Sequence, residues 1–227
     1  MNQPLIILGA GESGTGAALL AISKGLEVFV SDNKKIKDKY RKILIDNRIS
    51  FEEEKHSKEI IEKADEIIIS PGISKDTELL RNIKQKGINI ISEIEFANRY
   101  SKAKKIAITG SNGKTTTTLL THHILQKAGL DVAVAGNVGK SFAASLAERD
   151  YEYYVLEISS FQLDDIINFK PDISVLLNIT PDHLDRYEYN FNNYINSKFK
   201  IISNQNEKDC FVYCLDDTTI NKEIKNK

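Results

Sequence analysis

Short apolar runs recur along the first part of the chain as LIILG, VFVSD, EIIISPG and INIIS, with charged segments of helical period between them. Runs that are apolar at successive positions suit strands buried on both faces. Their alternation with amphipathic helices is the pattern of a parallel sheet wrapped by helices. This α/β pattern occupies residues 4–91, and the segment RYSKAKK, near residues 99–105, marks a boundary. A second alternation follows at once: IAITG, a helix from about Lys114 to Ala128, then DVAVAG, YYVLEIS, ISVLLNIT and CFVYCL. Two domains are therefore expected, 1–100 and 101–227. In open sheets of this class ligands lie beyond the carboxyl ends of the strands. GSNGKT, GNVG, Glu157 and the TPDHLD loop should thus converge on one crevice.

The most informative segment is IAITGSNGKTTTT, an apolar strand that runs into a Gly-rich turn, a lysine and a helix start. Backbone N–H groups of such a turn point into one concavity, and the helix N-terminus adds partial positive charge. Gly110, Ser111, Asn112, Gly113, Lys114, Thr115 and Thr116 are the candidate ATP-binding residues, with Lys114 on the terminal phosphates and the Thr115 hydroxyl on Mg²⁺. The common P-loop pattern has a glycine where this chain has Ile108, so the shorter variant 109–115 fits better. A plain strand-to-helix connection is the bland alternative.

Gly9-Ala10-Gly11-Glu12-Ser13-Gly14 also follows a strand and opens a helix, and Asp32 lies about 20 residues on, which satisfies the dinucleotide fingerprint on paper. Glu12 speaks against a pyrophosphate there unless its carboxylate points away. Tight strand-to-helix packing through glycine is the competing reading. Ser70-Pro71-Gly72 ends a later strand and either lines the same crevice or is only a turn.

The 227 residues are 41% hydrophobic, enough for two cores, and the net charge of −1 gives no field arguing for nucleic acid or a membrane surface. The lysines between Lys34 and Lys42 read as the solvated face of a helix that carries Ile36, Tyr40, Ile43 and Leu44. Cys210 and Cys214 are too few for a metal site or a disulfide framework and read as buried or half-buried thiols. The N-terminus lacks the basic flank and length of a signal peptide and no run approaches a membrane span, so a reducing cytoplasm is expected, and the chain is expected to be a monomer. His56 reads as ordinary surface, and His122 and His123 face away from the phosphate turn. The chain ends at NKEIKNK, soon after a strand, with no further helix–strand unit, and is expected to be part of a longer protein.

Taken with TGSNGKTT, the segments GNVG (136–139), LEISSFQL (156–163), NITPDHLDRY (178–187) and SKFK (197–200) closely resemble the Mur ligases of peptidoglycan synthesis. The SSFQL segment resembles the branch that adds D-glutamate. The resemblance covers essentially the whole chain. It implies a Rossmann-like uridine-nucleotide domain followed by most of a P-loop ATPase-type central domain, with the family's third, C-terminal domain absent. It also implies an acyl-phosphate mechanism on UDP-N-acetylmuramoyl-L-alanine with ATP, Mg²⁺ and D-glutamate, and a chain of this length that is inactive alone.

By the same resemblance Lys114, Asn137, Glu157, His183 and Lys198 are catalytic. Thr115 and Glu157 hold a first Mg²⁺, His183 and a carbamylated Lys198 a second, and Asn137 and Ser159 orient the substrate's acyl end. Helix pattern alone makes Lys198 a surface lysine, and Lys200 is the control on another face. Asp182, Asp185 and Arg186 either belong to the site or brace its loop. In the first domain Glu12, Ser13, Asp32, Asn33, Lys34, Ser70, Pro71 and Gly72 map onto the family's uridine diphosphate site. Three rivals stay open: an NAD(P)-dependent dehydrogenase built on the first loop, a folate-type ligase relative, and a non-catalytic nucleotide-binding module.

Overall fold

The computed structural model describes residues 4–74 and 77–225. The chain divides into two compact units, one running to Ser101 and including Lys140–Arg149, the other formed by Lys102–Gly139 and the chain from Asp150 onward.

The first unit runs β1 (Leu5–Leu8), α1 (Glu12–Ser23), β2 (Val28–Ser31), α2 (Asp38–Asp46), β3 (Ser50–Glu52), α3 (Lys58–Ile61), β4 (Glu66–Ile69), α4 (Glu78–Gln85), β5 (Asn89–Ser92) and α5 (Glu93–Asn98). Its sheet is parallel in the order β3-β2-β1-β4-β5, so the strand order reverses between β1 and β4. The core is aliphatic: Ile6, Leu8, Ile67 and Ile69 of the sheet pack with Ile61, Leu80 and Ile83 of the helices. Each such side chain contributes about 1.5–3 kcal/mol by leaving water. Thr77 and Ser92 cap α4 and α5 through their hydroxyls. Helix α2 starts only at Asp38, so Lys34 precedes it.

The sequence reading did not foresee β3. It has three residues and lies at the sheet edge, where one neighbour suffices to hold it.

A further helix, Phe142–Glu148, belongs to this first unit although its flanks belong to the second. It lies so close to α1 that a Cβ at Gly16 would fall 2.0 Å from Ser141 Oγ and 3.0 Å from the Ala144 nitrogen. Only glycine permits that approach. The buried Glu93 carboxylate accepts the Ala143 N–H at the start of this helix. Burial raises the Glu93 pKa to about 8, against the lowering effect of that bond, with Glu12 raising it further.

The second unit comprises β6 (Lys104–Thr109), α6 (Lys114–Lys127) and β7 (Val132–Gly136) and, after the helix Phe142–Glu148 just described (α7, of the first unit), β8 (Tyr153–Glu157), α8 (Ser160–Leu163), β9 (Ile173–Leu176), a 3-10 turn at Leu184–Tyr187, α9 (Phe191–Phe199), β10 (Cys210–Tyr213) and α10 (Thr218–Lys225). The sheet is again parallel, ordered β10-β9-β6-β8-β7, with β6 at its centre.

A helix, α10, follows the last strand, its Ile220 buried among Leu176, Tyr194 and Phe199; the final residues 226–227 lie outside the described residues. One expectation needs correction. Cys210 and Cys214 are exposed, because β10 is an edge strand that pairs with β9 alone. No helix among the described residues is long and apolar enough to cross a membrane.

Candidate phosphate and nucleotide sites

In the second unit the chain leaves the carboxyl end of β6 through Gly110–Gly113 and enters α6. Gly113 caps that helix with φ +81°, in the left-handed region where a side chain is strained. The turn is strapped to the segment after β9. Ser111 N–H donates to Asn178 O at 3.0 Å, Asn112 N–H to Asn178 Oδ1 at 2.8 Å, and Ser111 Oγ to Thr180 O at 2.9 Å. The amides of Ser111 and Asn112 are thus committed within the protein. Those of Lys114, Thr115 and Thr116, in the first helical turn, have no intrahelical partner and are the groups an anion would meet.

Two lysines converge on this turn. Lys114 Nζ donates to Gly110 O and Ser111 O, each at 2.8 Å, and Lys198 Nζ donates to Gly110 O at 2.8 Å. Lys198 is 2% exposed and lies 4.5 Å from the Tyr194 ring centre, so it is not the surface residue that helix pattern alone suggested. Burial, and then the Lys114 charge, lower its pKa to about 7, with Asp182 opposing. Lys200 lies on another face, with Nζ 3.0 Å from Asp164 O and 3.5 Å from its carboxylate.

Glu157 ends β8 beside the same turn. Its carboxylate is 2% exposed, accepts Thr115 Oγ1–H at 2.7 Å on Oε2 and Asn137 Nδ2–H at 2.6 Å on Oε1, and has no cation partner among the described residues. Two residues from separate segments therefore meet at the carboxylate of a third.

Ser159 is used locally. It caps α8 in a reciprocal pair with Gln162, whose Oε1 accepts the Ser159 N–H at 2.9 Å. His183 is exposed, with a left-handed backbone, its ring 5.2 Å from Phe161 and its Nε2 3.5 Å from Asp182. No hydrogen bond joins it to Lys198 or Glu157. Asp182 accepts the His183 N–H at 2.9 Å, and Arg186 lies over Phe161 at 4.6 Å, so both brace the loop.

In the first unit the loop after β1 faces the switch point. Asp32 Oδ2 accepts the Ala10 N–H at 2.7 Å and Oδ1 the Lys34 N–H at 2.9 Å, while Ser70 Oγ donates to Gly9 O at 3.2 Å. The Glu12 carboxylate is turned to α2, accepting from Tyr40 Oη at 3.1 Å and pairing with Lys39 at 3.6 Å. That removes the repulsion its sequence position suggested. Ser13, Pro71 and Gly72 border the loop, and Asn33 and Lys34 are exposed just past β2. His56 corrects a reading: it is half-buried and bonded to Ser31 Oγ at 2.6 Å. Nothing local in the sequence signals that contact, since Ser31 and His56 are 25 residues apart.

Comparison with known proteins covers both units. The Mur ligase middle domain matches residues 108–227 and the MurD-like N-terminal domain of Mur ligases matches residues 3–92. The UDP-N-acetylmuramoylalanine–D-glutamate ligase of Bacteroides fragilis is 55% identical over 220 residues, covering 97% of this chain and 50% of the relative. That of Porphyromonas gingivalis is 53% identical over 224 residues, covering 99% and 50%. The chain spans about half the length of the curated relatives it matches.

Among solved structures, the UDP-N-acetylmuramate:L-alanyl-gamma-D-glutamyl-meso-diaminopimelate ligase of Neisseria meningitidis shares the fold at TM-score 0.68 and 18% identity, over all of this chain and 76% of its own. The UDP-N-acetylmuramate-alanine ligase of Thermotoga maritima does so at TM-score 0.61 and 20% identity, over 96% of this chain and 50% of its own. With a strapped phosphate turn, a buried carboxylate at the neighbouring strand end and matches over both units, the chain belongs to the Mur ligase family.

Proposed function

We propose that this chain supplies the nucleotide-substrate and ATP sites of an ATP-dependent ligase that adds D-glutamate to UDP-N-acetylmuramoyl-L-alanine. The observation that supports it most is the meeting of Thr115 and Asn137 on the buried Glu157 carboxylate beside the phosphate turn. A buried carboxylate served only by neutral donors is costly in isolation and suits a cation. Hard oxygen donors beside a triphosphate site fit Mg²⁺, which is commonly held by one or two carboxylates together with substrate phosphates. Thr115 and Glu157 would hold it, and when bound it neutralises charge on the phosphate oxygens.

A carboxylate does not react with an amine unaided. Phosphoryl transfer from ATP to the substrate carboxylate gives an acyl phosphate, and the amine then displaces phosphate. Lys114 and the first-turn amides of α6 hold the transferring phosphoryl group, a purely electrostatic and positional task. Asn137 and Ser159 orient the acyl end. Lys198, with a pKa of about 7, is neutral in a large fraction of molecules near pH 7. Its amine can add to CO₂ with loss of a proton, and the resulting carbamate would join His183 around a second ion. In the first unit the loop after β1, with Asp32 and Ser70–Gly72, takes the uridine diphosphate moiety.

Calorimetric titration of the chain with UDP-N-acetylmuramoyl-L-alanine, Mg·ATP and NADH tests this reading. Saturable binding of the first two with no response to NADH is expected. Binding of NADH alone would replace the ligase reading with that of a dehydrogenase.

A further inference from the structure

The sequence of α1 leaves that helix without a polar face. From Gly16 to Ile22 no side chain is polar, and a helix of that kind needs cover all round. Ala17, Leu20 and Ala21 are fully buried, and Gly16 lies against α7. The face opposite Ala17 and Leu20 carries Glu12, Thr15, Leu19 and Ile22 at the three- and four-residue spacing of one helix side, and it borders a cavity of about 480 Å³. Helix α2 walls the cavity with Ile43, and α7 walls it with Ala144 and Ala147, all within the first unit. The two alanines are too short to close the space, so Leu19, Ile22 and Ile43 stay half-buried.

Size narrows what fits there. The volume lies in the range of small-ligand sites, about 300–1,000 Å³. Thirteen residues line it, short of the roughly 20–30 that a protein partner covers on each side.

Hydrogen bonding and charge narrow it further. The hydroxyl protons of the lining are spent: Thr15 Oγ1–H goes to Ala10 O at 3.3 Å, Ser23 Oγ–H to Leu20 O at 2.7 Å and Tyr40 Oη–H to Glu12 Oε2 at 3.1 Å. Of the three charged side chains in the lining, Lys140 and Glu148 cancel, the ammonium lying 2.5 and 2.7 Å from the two carboxylate oxygens. The charge of Glu12 remains. Its Oε2 pairs with Lys39 at 3.6 Å, an exposed contact that holds weakly, and its Oε1 takes no hydrogen bond among the described residues. An occupant must therefore bring an apolar body, a donor and a positive charge.

We propose that this cavity binds an apolar amine, its body on Leu19, Ile22 and Ile43 and its ammonium on Glu12 Oε1. The site runs along the flank of α1 rather than over the turn after β1, so it stands independently of the uridine-nucleotide reading.

Equilibrium dialysis at pH 7 with 4-phenylbutylamine, 4-phenylbutan-1-ol and 4-phenylbutanoate tests it on wild type, Glu12→Gln and Ala147→Phe, with circular dichroism confirming that each variant is folded. The three probes share one apolar body and differ in charge. Wild type should bind the amine at least about tenfold more tightly than the carboxylate, with the alcohol between. Glu12→Gln should bring the three within about threefold, chiefly by weakening the amine. Ala147→Phe places a ring in the cavity and should weaken all three by about tenfold or more. Excess UDP should leave amine binding unchanged. A carboxylate bound as tightly as the amine, no binding of any probe by wild type, or an amine indifferent to both substitutions overturns the proposal. Displacement of the amine by UDP also overturns it, by assigning the amine to the nucleotide site. Should Ala147→Phe not fold, the amine-to-carboxylate ratio in wild type and in Glu12→Gln still decides.

Discussion

Replacing Lys198 with methionine should stabilise the second unit at neutral pH, although the side chain makes a good hydrogen bond. Each tenfold change in a proton-binding constant is about 1.4 kcal/mol, so a fall from 10.5 to about 7 means that burying this ammonium costs about 4–5 kcal/mol. The bond to Gly110 O and the contact with the Tyr194 ring return about 1–2 kcal/mol together. Methionine fills a similar volume without charge, so the net gain at pH 7 should be about 2–3 kcal/mol.

The pH dependence is more telling than the single value. Between about pH 7 and 10.5 the unfolded chain holds the Lys198 proton and the folded chain does not. Wild-type stability should therefore climb with pH by up to about 1.4 kcal/mol per pH unit above 7 relative to the variant, and the two curves should cross at about pH 9–9.5. Lys105 is also lowered by burial and adds the same slope to both proteins, so the readout is the difference between them. Urea unfolding followed by far-UV circular dichroism at pH 6 to 9.5 measures it, with Lys200→Met as a near-neutral control. A Lys198→Met protein less stable than wild type at pH 7, or a constant difference across the range, would refute the reasoning.

Glu93→Gln should flatten a slope of opposite sign in the first unit. The stability from this carboxyl is fully present below about pH 4.5 and lost by about pH 8, so the variant should gain most at pH 8, by a few kcal/mol in urea melts. Gly16→Ala forces a methyl against Ser141 Oγ and the Ala144 backbone and should lower first-unit stability by about 1–3 kcal/mol, read as a lower melting temperature; an unchanged melt would mean α7 is not held as described. Glu157→Gln should keep the Asn137 and Thr115 contacts yet weaken Mg·ATP at least tenfold in calorimetry while leaving Mg-free ATP nearly unchanged, and equal weakening of both would remove the metal role.

The strands were legible because unbroken apolar runs such as Ile67–Ile69 have few other places to go. The Gly-rich turn from β6 into α6 was legible because turn chemistry is local in sequence. What escaped was non-local. β3 offers only Phe51 as an apolar residue, and its partner strand, not its composition, makes it a strand. His56 acquires its environment from Ser31 and Glu52 on two strands. In α9 the buried set Tyr194, Ile195, Ser197, Lys198 and Phe199 wraps too far round the helix for an amphipathic pattern to include a lysine, and only the family resemblance marked it. The sequence reading did not single out α7, and nothing local in its residues says which unit buries it.

The chain passes from one unit to the other after residues 101, 139 and 149, because α7 returns to the first. On the ribosome this sets an order of events. The strands and helices up to Ser101 are complete well before α7 exists. At about 5–20 residues per second, the 48 residues from 101 to 149 take roughly 2–10 s. For that interval the small-residue face of α1 that receives α7 has no native cover, and Glu93 has no helix start to bond. Nascent chains should therefore be most vulnerable to chaperone capture and proteolysis in that window. A gene cut after residue 101 would leave the first unit without α7 and carry that helix away inside the second half, so the two halves are not exchangeable cassettes.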